Sequence, residues 1–117
     1  MDYSWLEVVK KSLASLDRLA SRLRAASTGE AISDSELRAV VGEIEENSSR
    51  VSRLRSFEKN RGIVSRFRIT PHDLGLLTPK VDDDIRKSLL RGDINTFKSV
   101  ADKLSESAQL WRERIIQ

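Results

Sequence analysis

Cysteine is absent and histidine occurs once, as His72. The first absence removes disulfide frameworks, thiolate metal sites and cysteine nucleophiles together. The second leaves catalysis to carboxylates, lysines, hydroxyls or a single imidazole. No run approaches the roughly 18 apolar residues of a membrane span, and the first residues lack the basic, apolar and small-residue order of a signal peptide. A cytoplasmic protein with no membrane partner is therefore expected. Asn, Gln and Met are scarce, while arginine outnumbers lysine fourteen to seven. That balance leans towards a thermophile. It also suits contacts with phosphate or carboxylate, which the planar guanidinium fork matches.

What is present is amphipathic helix. The 117 residues suffice for one domain, 1–117, with a core that needs no staples. Leu6, Val9, Leu13, Leu16, Ala20 and Leu23 alternate spacings of three and four, the rhythm of a helical seam. The opposite face carries Lys10, Lys11, Ser15, Asp17, Arg18, Ser21 and Arg22, which water is expected to solvate. Gly29 is placed to take the left-handed conformation that ends a helix. A second helix is expected from the capping box Ser33-Asp34-Ser35-Glu36, in which the Ser33 hydroxyl accepts from the Glu36 amide and the Glu36 side chain reaches back. Leu37, Val40, Ile44, Asn47, Val51 and Leu54 continue its seam, and Gly62 is the expected stop. Asn47 on that seam has two readings: a polar residue that fixes register, or one at a wet edge or bonded to backbone.

Beyond Gly62, the alternation of Ile63 to Ile69 reads as a packed connector or further helix, since a lone strand has nothing to pair with. Thr70-Pro71 and Thr78-Pro79 each read as a cap followed by proline at the first helical position. They predict a short helix over 71–76 and a longer one over 79–91. Gly92-Asp93 separates that helix from the last, where Asp93 is the cap and Phe97, Ala101, Leu104, Ala108, Trp111 and Ile115 form a third seam. Tyr3 and Trp5 are expected to close the end of the core. The fold class is all-α, a three- or four-helix antiparallel bundle with one or two short extra helices.

Charge along the chain is uneven. From Glu30 to Ser49 there are six acids and one base, and from Arg50 to Arg68 seven bases and one acid. At about 100° per residue, Arg50, Arg53, Phe57 and Arg61 share a stripe offset from the seam. With Lys59, Arg66 and Arg68 they form a candidate surface for phosphates and a stacked base, or for an acidic protein. A plainer reading also accounts for much of the contrast: acids at a helix start and bases at its end complement the macrodipole, and Glu46 precedes Arg50 by four. Asp82-Asp83-Asp84 suits a hard metal by residue type, but pairing of Asp82 with Arg86 and of Asp83 with Lys87 makes a solvated helix start the expectation. No metal, cofactor or catalytic set is expected.

Two resemblances bear on function. Arg66 and His72 resemble the arginine-to-histidine pair of metal-independent ribonucleases of the HEPN helical fold, which implies a basic group steadying phosphate and a histidine moving a proton. The plainer reading puts His72 in a first turn behind Pro71. Residues 1–91 resemble the helical domain of archaeal GINS replication proteins in the aromatic-led start (Tyr3, Trp5, Leu6), the basic patch from Leu54-Arg55 to Lys59, and Leu77-Thr78-Pro79 opening a further helix. That resemblance implies a non-enzymatic assembly subunit binding helicase, polymerase or primase partners. The expected function is thus an interaction or scaffold subunit that assembles with itself or a protein partner, with nucleic-acid binding as the alternative and a small ribonuclease as a remote one.

Overall fold

The computed structural model describes residues 4–61, 79 and 81–115, with side-chain surroundings for 7–50, 53, 79 and 81–113. Four helices occur among the described residues: α1 Ser4–Ser27, α2 Asp34–Arg61, α3 Asp83–Leu90 and α4 Ile94–Ile115. No strand occurs among the described residues. The all-α bundle expected from periodicity is what forms. The long axis of 45 Å matches the length of α2, whose 28 residues span about 42 Å at 1.5 Å each.

Local signals set most of the boundaries. α1 stops where Gly29 takes φ 108°, and the Glu30 amide donates back to Ala25 O at 3.0 Å. α2 begins as the capping box predicts in one half only. The Ser33 hydroxyl accepts from the Glu36 amide at 3.1 Å, but the Glu36 carboxylate turns to Arg22 instead of reaching back. A charged, bidentate partner outcompetes a lone amide. Asp93 caps α4, its Oδ1 accepting from the Asn95 amide at 3.0 Å, and Gly92 before it has φ 80°.

The helix expected over 79–91 is shorter and starts later. Pro79 is buried and lies outside it. Asp82 is the cap, with Oδ1 accepting from the Ile85 amide at 2.8 Å. Asp83 and Asp84 then occupy the first turn, so three successive acids face the positive helix end, a better start than a threonine hydroxyl offers. The expected connector over 63–69 and short helix over 71–76 lie outside the described residues.

α1 is the central helix. On one side it packs against α4 and on the other against α2, while α3 bridges α2 and α4. Arg24 meets Asp102 and Asp17 meets Arg112 across the first contact; Arg22 meets Glu36 and Arg18 meets Glu43 across the second. In both sets the numbers rise on α1 as they fall on the neighbour, so α2 and α4 each run antiparallel to α1. One apolar cluster joins the helices: Leu13, Leu16 and Leu23 of α1, Val40 and Ile44 of α2, Leu89 of α3, and Phe97, Leu104 and Trp111 of α4 are among its members.

Flanking on both sides explains where the seam misleads. At about 100° per residue a three-four seam describes one stripe, and α1 buries an arc wide enough to include Leu19, Ala26, Ser12 and Ser15 as well. Ser15, expected on the solvated face, is 4% exposed. It lies about 100° round from Leu16, under α2.

Candidate functional site

The acidic half of α2 is consumed within the chain. Arg22 of α1 grips Glu36 through Nε at 2.9 Å and Nη2 at 2.7 Å, and the same Nη2 donates to Ala31 O at 2.7 Å. This bond raises the pKa of Arg22 and holds the Glu36 carboxyl below its ordinary value, the hydrogen bond being the largest cause for both. Arg18 pairs with Glu43. Arg86 of α3 reaches Glu45 at 3.2 Å and also pairs with Asp83. Arg50 pairs with Glu46 at 3.0 Å, as its i,i+4 spacing predicts. Five of the six acids from Glu30 to Ser49 thus lie within 4.0 Å of Arg18, Arg22, Arg50 or Arg86, and of these arginines only Arg50 belongs to α2 itself.

Asn47 is neither at a wet edge nor bonded to backbone. It is 2% exposed, its Nδ2 donates to Ser15 Oγ at 2.7 Å, and its Oδ1 accepts from Arg50 Nη1 at 3.1 Å. Ser15 in turn donates to Glu43 at 2.7 Å. A polar chain therefore runs from Arg18 through Glu43, Ser15 and Asn47 to Arg50 and Glu46, knitting α1 to α2. Sliding either helix by a turn would break the links that cross between them, Arg18 with Glu43, Ser15 with Glu43 and Asn47 with Ser15, so the register-fixing reading of Asn47 is the one the geometry fits.

The expected basic surface divides accordingly. Arg50 is half-buried and held by Asn47 and Glu46. Arg53 is exposed. Phe57, Lys59 and Arg61 lie in the last turns of α2, their side chains outside the described part; Arg66, Arg68 and His72 lie wholly outside it, as does Tyr3. Trp5 stands in the first turn of α1, its side chain likewise not described. Lys11, read at first as one of many solvated α1 residues, gains a place here. The antiparallel register that sets Arg18 by Glu43 and Ser15 by Asn47 brings position 11 level with position 50, and Lys11 is exposed. Spacing along one helix could not have revealed a cation supplied by another.

Other candidate chemistry recedes. The expected pairs Asp82 with Arg86 and Asp83 with Lys87 do not form, because Asp82 is spent on its cap and Arg86 takes Asp83 and Glu45. Among the described residues no group of three or more His, Cys, Asp or Glu could hold a metal ion. No described helix is long and apolar enough to cross a membrane. Neither family models, nor curated proteins, nor solved structures match this chain. Its surface is then what points to a function.

Proposed function

We propose that the protein is a non-enzymatic interaction subunit, assembling with itself or with a protein partner through helix faces and the basic surface of residues 50–68, extended by Lys11. The supporting observation is the unequal fate of the two charges. Carboxylates of α2 are occupied by Arg18, Arg22, Arg50 and Arg86, whereas Arg53 and Lys11 are exposed and enter no ion pair with another described residue. The described acids of the charge reversal help to close the bundle, while Arg53, of its basic half, is exposed. A partner offering carboxylates would meet it with complementary sign.

The same cations, with arginine in twofold excess over lysine, also support a nucleic-acid or replication-accessory reading of the kind the GINS resemblance implies. Salt separates the two. Fluorescence anisotropy with labelled single- and double-stranded DNA and RNA, started at about 50 mM salt, should show a steep linear fall of log affinity with log salt if phosphates are held. No binding at that salt removes the nucleic-acid reading. For the assembly reading, a native pull-down and a light-scattering mass are decisive: a captured partner or a dimer lost in the Lys11→Glu/Arg53→Glu variant supports it. A strictly monomeric mass with no captured partner counts against it.

A further inference from the structure

We propose that α2 detaches from α1 as a unit while α1 and α4 stay paired, so that the native bundle opens on one side before it unfolds. The two contacts of α1 differ in kind. α4 buries Phe97, Val100, Ala101, Leu104, Ala108 and Trp111, with Ser107 as the one buried polar residue described on it. The contact with α2, beside the apolar Val40, Val41 and Ile44, also holds the buried polar pair Ser15 and Asn47, and Ser12 lies one turn before Ser15.

This polar contact is also incompletely satisfied. Among the described residues two buried side-chain atoms have no hydrogen-bond partner, Ser12 Oγ and Arg22 Nη1. Both belong to α1, and Arg22 is the residue that grips α2 through Glu36. Glu30 lies 4.0 Å from Nη1, beyond hydrogen-bond distance. A buried group without a partner loses its hydration for nothing in return, so opening this contact restores water to both atoms. The pairs that would part, Arg22 with Glu36 and Arg18 with Glu43, each include a side chain more than a third exposed, and such pairs add little to hold the helix in place. Leu19 and Ala26, one turn on from Ser15 and Arg22 on the same stripe of α1, are buried in the closed bundle.

Native-state hydrogen exchange of the full chain tests this, read by residue in low concentrations of denaturant. Amides of 37–50 are expected to exchange at least about tenfold faster than the slowest amides of α1 and α4, through an opening with a weaker denaturant dependence. Equal rates and equal dependence in all three helices would overturn the proposal. Two variants sharpen it. Ser12→Ala removes an unpartnered hydroxyl and breaks no hydrogen bond, so it should slow exchange in α2 by about tenfold, the low end of the cost of such a group. Asn47→Ala, whose bond to Ser15 parts both in this opening and in global unfolding, should speed α2 by at least about tenfold while the slowest amides of α1 and α4 stay slower than those of α2. Amides of α2 left unaccelerated by Asn47→Ala, or no slowing with Ser12→Ala, would refute a separate opening of α2.

Discussion

Alanine at Ser15 and Asn47, introduced singly and together, probes whether the polar chain between α1 and α2 acts as one object. Asn47→Ala loses the 2.7 Å bond to Ser15. Ser15 keeps its donation to Glu43, also at 2.7 Å, and the Arg50 side chain, 24% exposed, can turn its freed Nη1 to water. One buried bond and a small void together put the cost at about 2 kcal/mol. Ser15→Ala instead leaves the Asn47 amide without an acceptor at a site 2% exposed, again about 2 kcal/mol. The double variant pays for the shared bond once and leaves no orphan, so its cost should fall short of the sum by about 1–2 kcal/mol. Urea unfolding followed by far-ultraviolet circular dichroism measures all four corners of the cycle. Each single variant should lower Tm by roughly 8 °C, at about 4 °C per kcal/mol for a chain of this size. Additivity within about 0.3 kcal/mol would refute the reasoning, because it would mean that Ser15 and Asn47 do not share a bond in solution.

Glu36→Gln tests the grip of Arg22. Because the folded carboxyl titrates below its unfolded value, near 4.3 in model peptides, its contribution is present above that pH and disappears as pH falls through the folded value. The Tm gap between wild type and variant should accordingly be open at pH 7 and close in acid; a gap independent of pH would contradict the assignment. Two glycines should respond with opposite sign: Gly42 is helical and exposed with open space at its Cβ, so Gly42→Ala should stabilise by about 0.5–1 kcal/mol. Gly29 also has open space but φ +108°, so Gly29→Ala should destabilise by about 1–2 kcal/mol through backbone strain alone, both read by urea unfolding. Leu23→Ala, at a side chain 0% exposed in the central helix, should cost about 3–5 kcal/mol by the same measurement.

Helices were legible in the sequence because their signals are local. Val9, Leu13, Leu16, Ala20 and Leu23 repeat at helical spacing, and Ser33, Asp93, Gly29 and Gly92 mark ends through their own backbone and side-chain chemistry. What needs a neighbour was harder to read. Ser15 looks like a surface serine until α2 is laid over it, and Asn47 gains its role only from Ser15 and Arg50. The Glu36 side chain obeys the capping rule until a guanidinium from another helix outbids the backbone. Thr78-Pro79 points to a start at 79, and the bond from the Ile85 amide to Asp82 puts the start of α3 at Asp83 instead. The candidate surface shows the same limit. Arg50 and Arg53 could be read from charge alone, whereas Lys11 could be placed only by register.

The position of α1 between two antiparallel neighbours has an evolutionary consequence. Residues 13, 16, 19, 20 and 23 are buried, while 17, 18, 22 and 24 carry ion pairs to one side or the other. A library varying this helix one position at a time should find freedom chiefly at Lys10, Ala14 and Ser21. α1 is thus where drift of the sequence should be slowest, and variation that retunes partners should gather on the outer faces of α2 and α4 and at the few exposed positions of α1 such as Lys11.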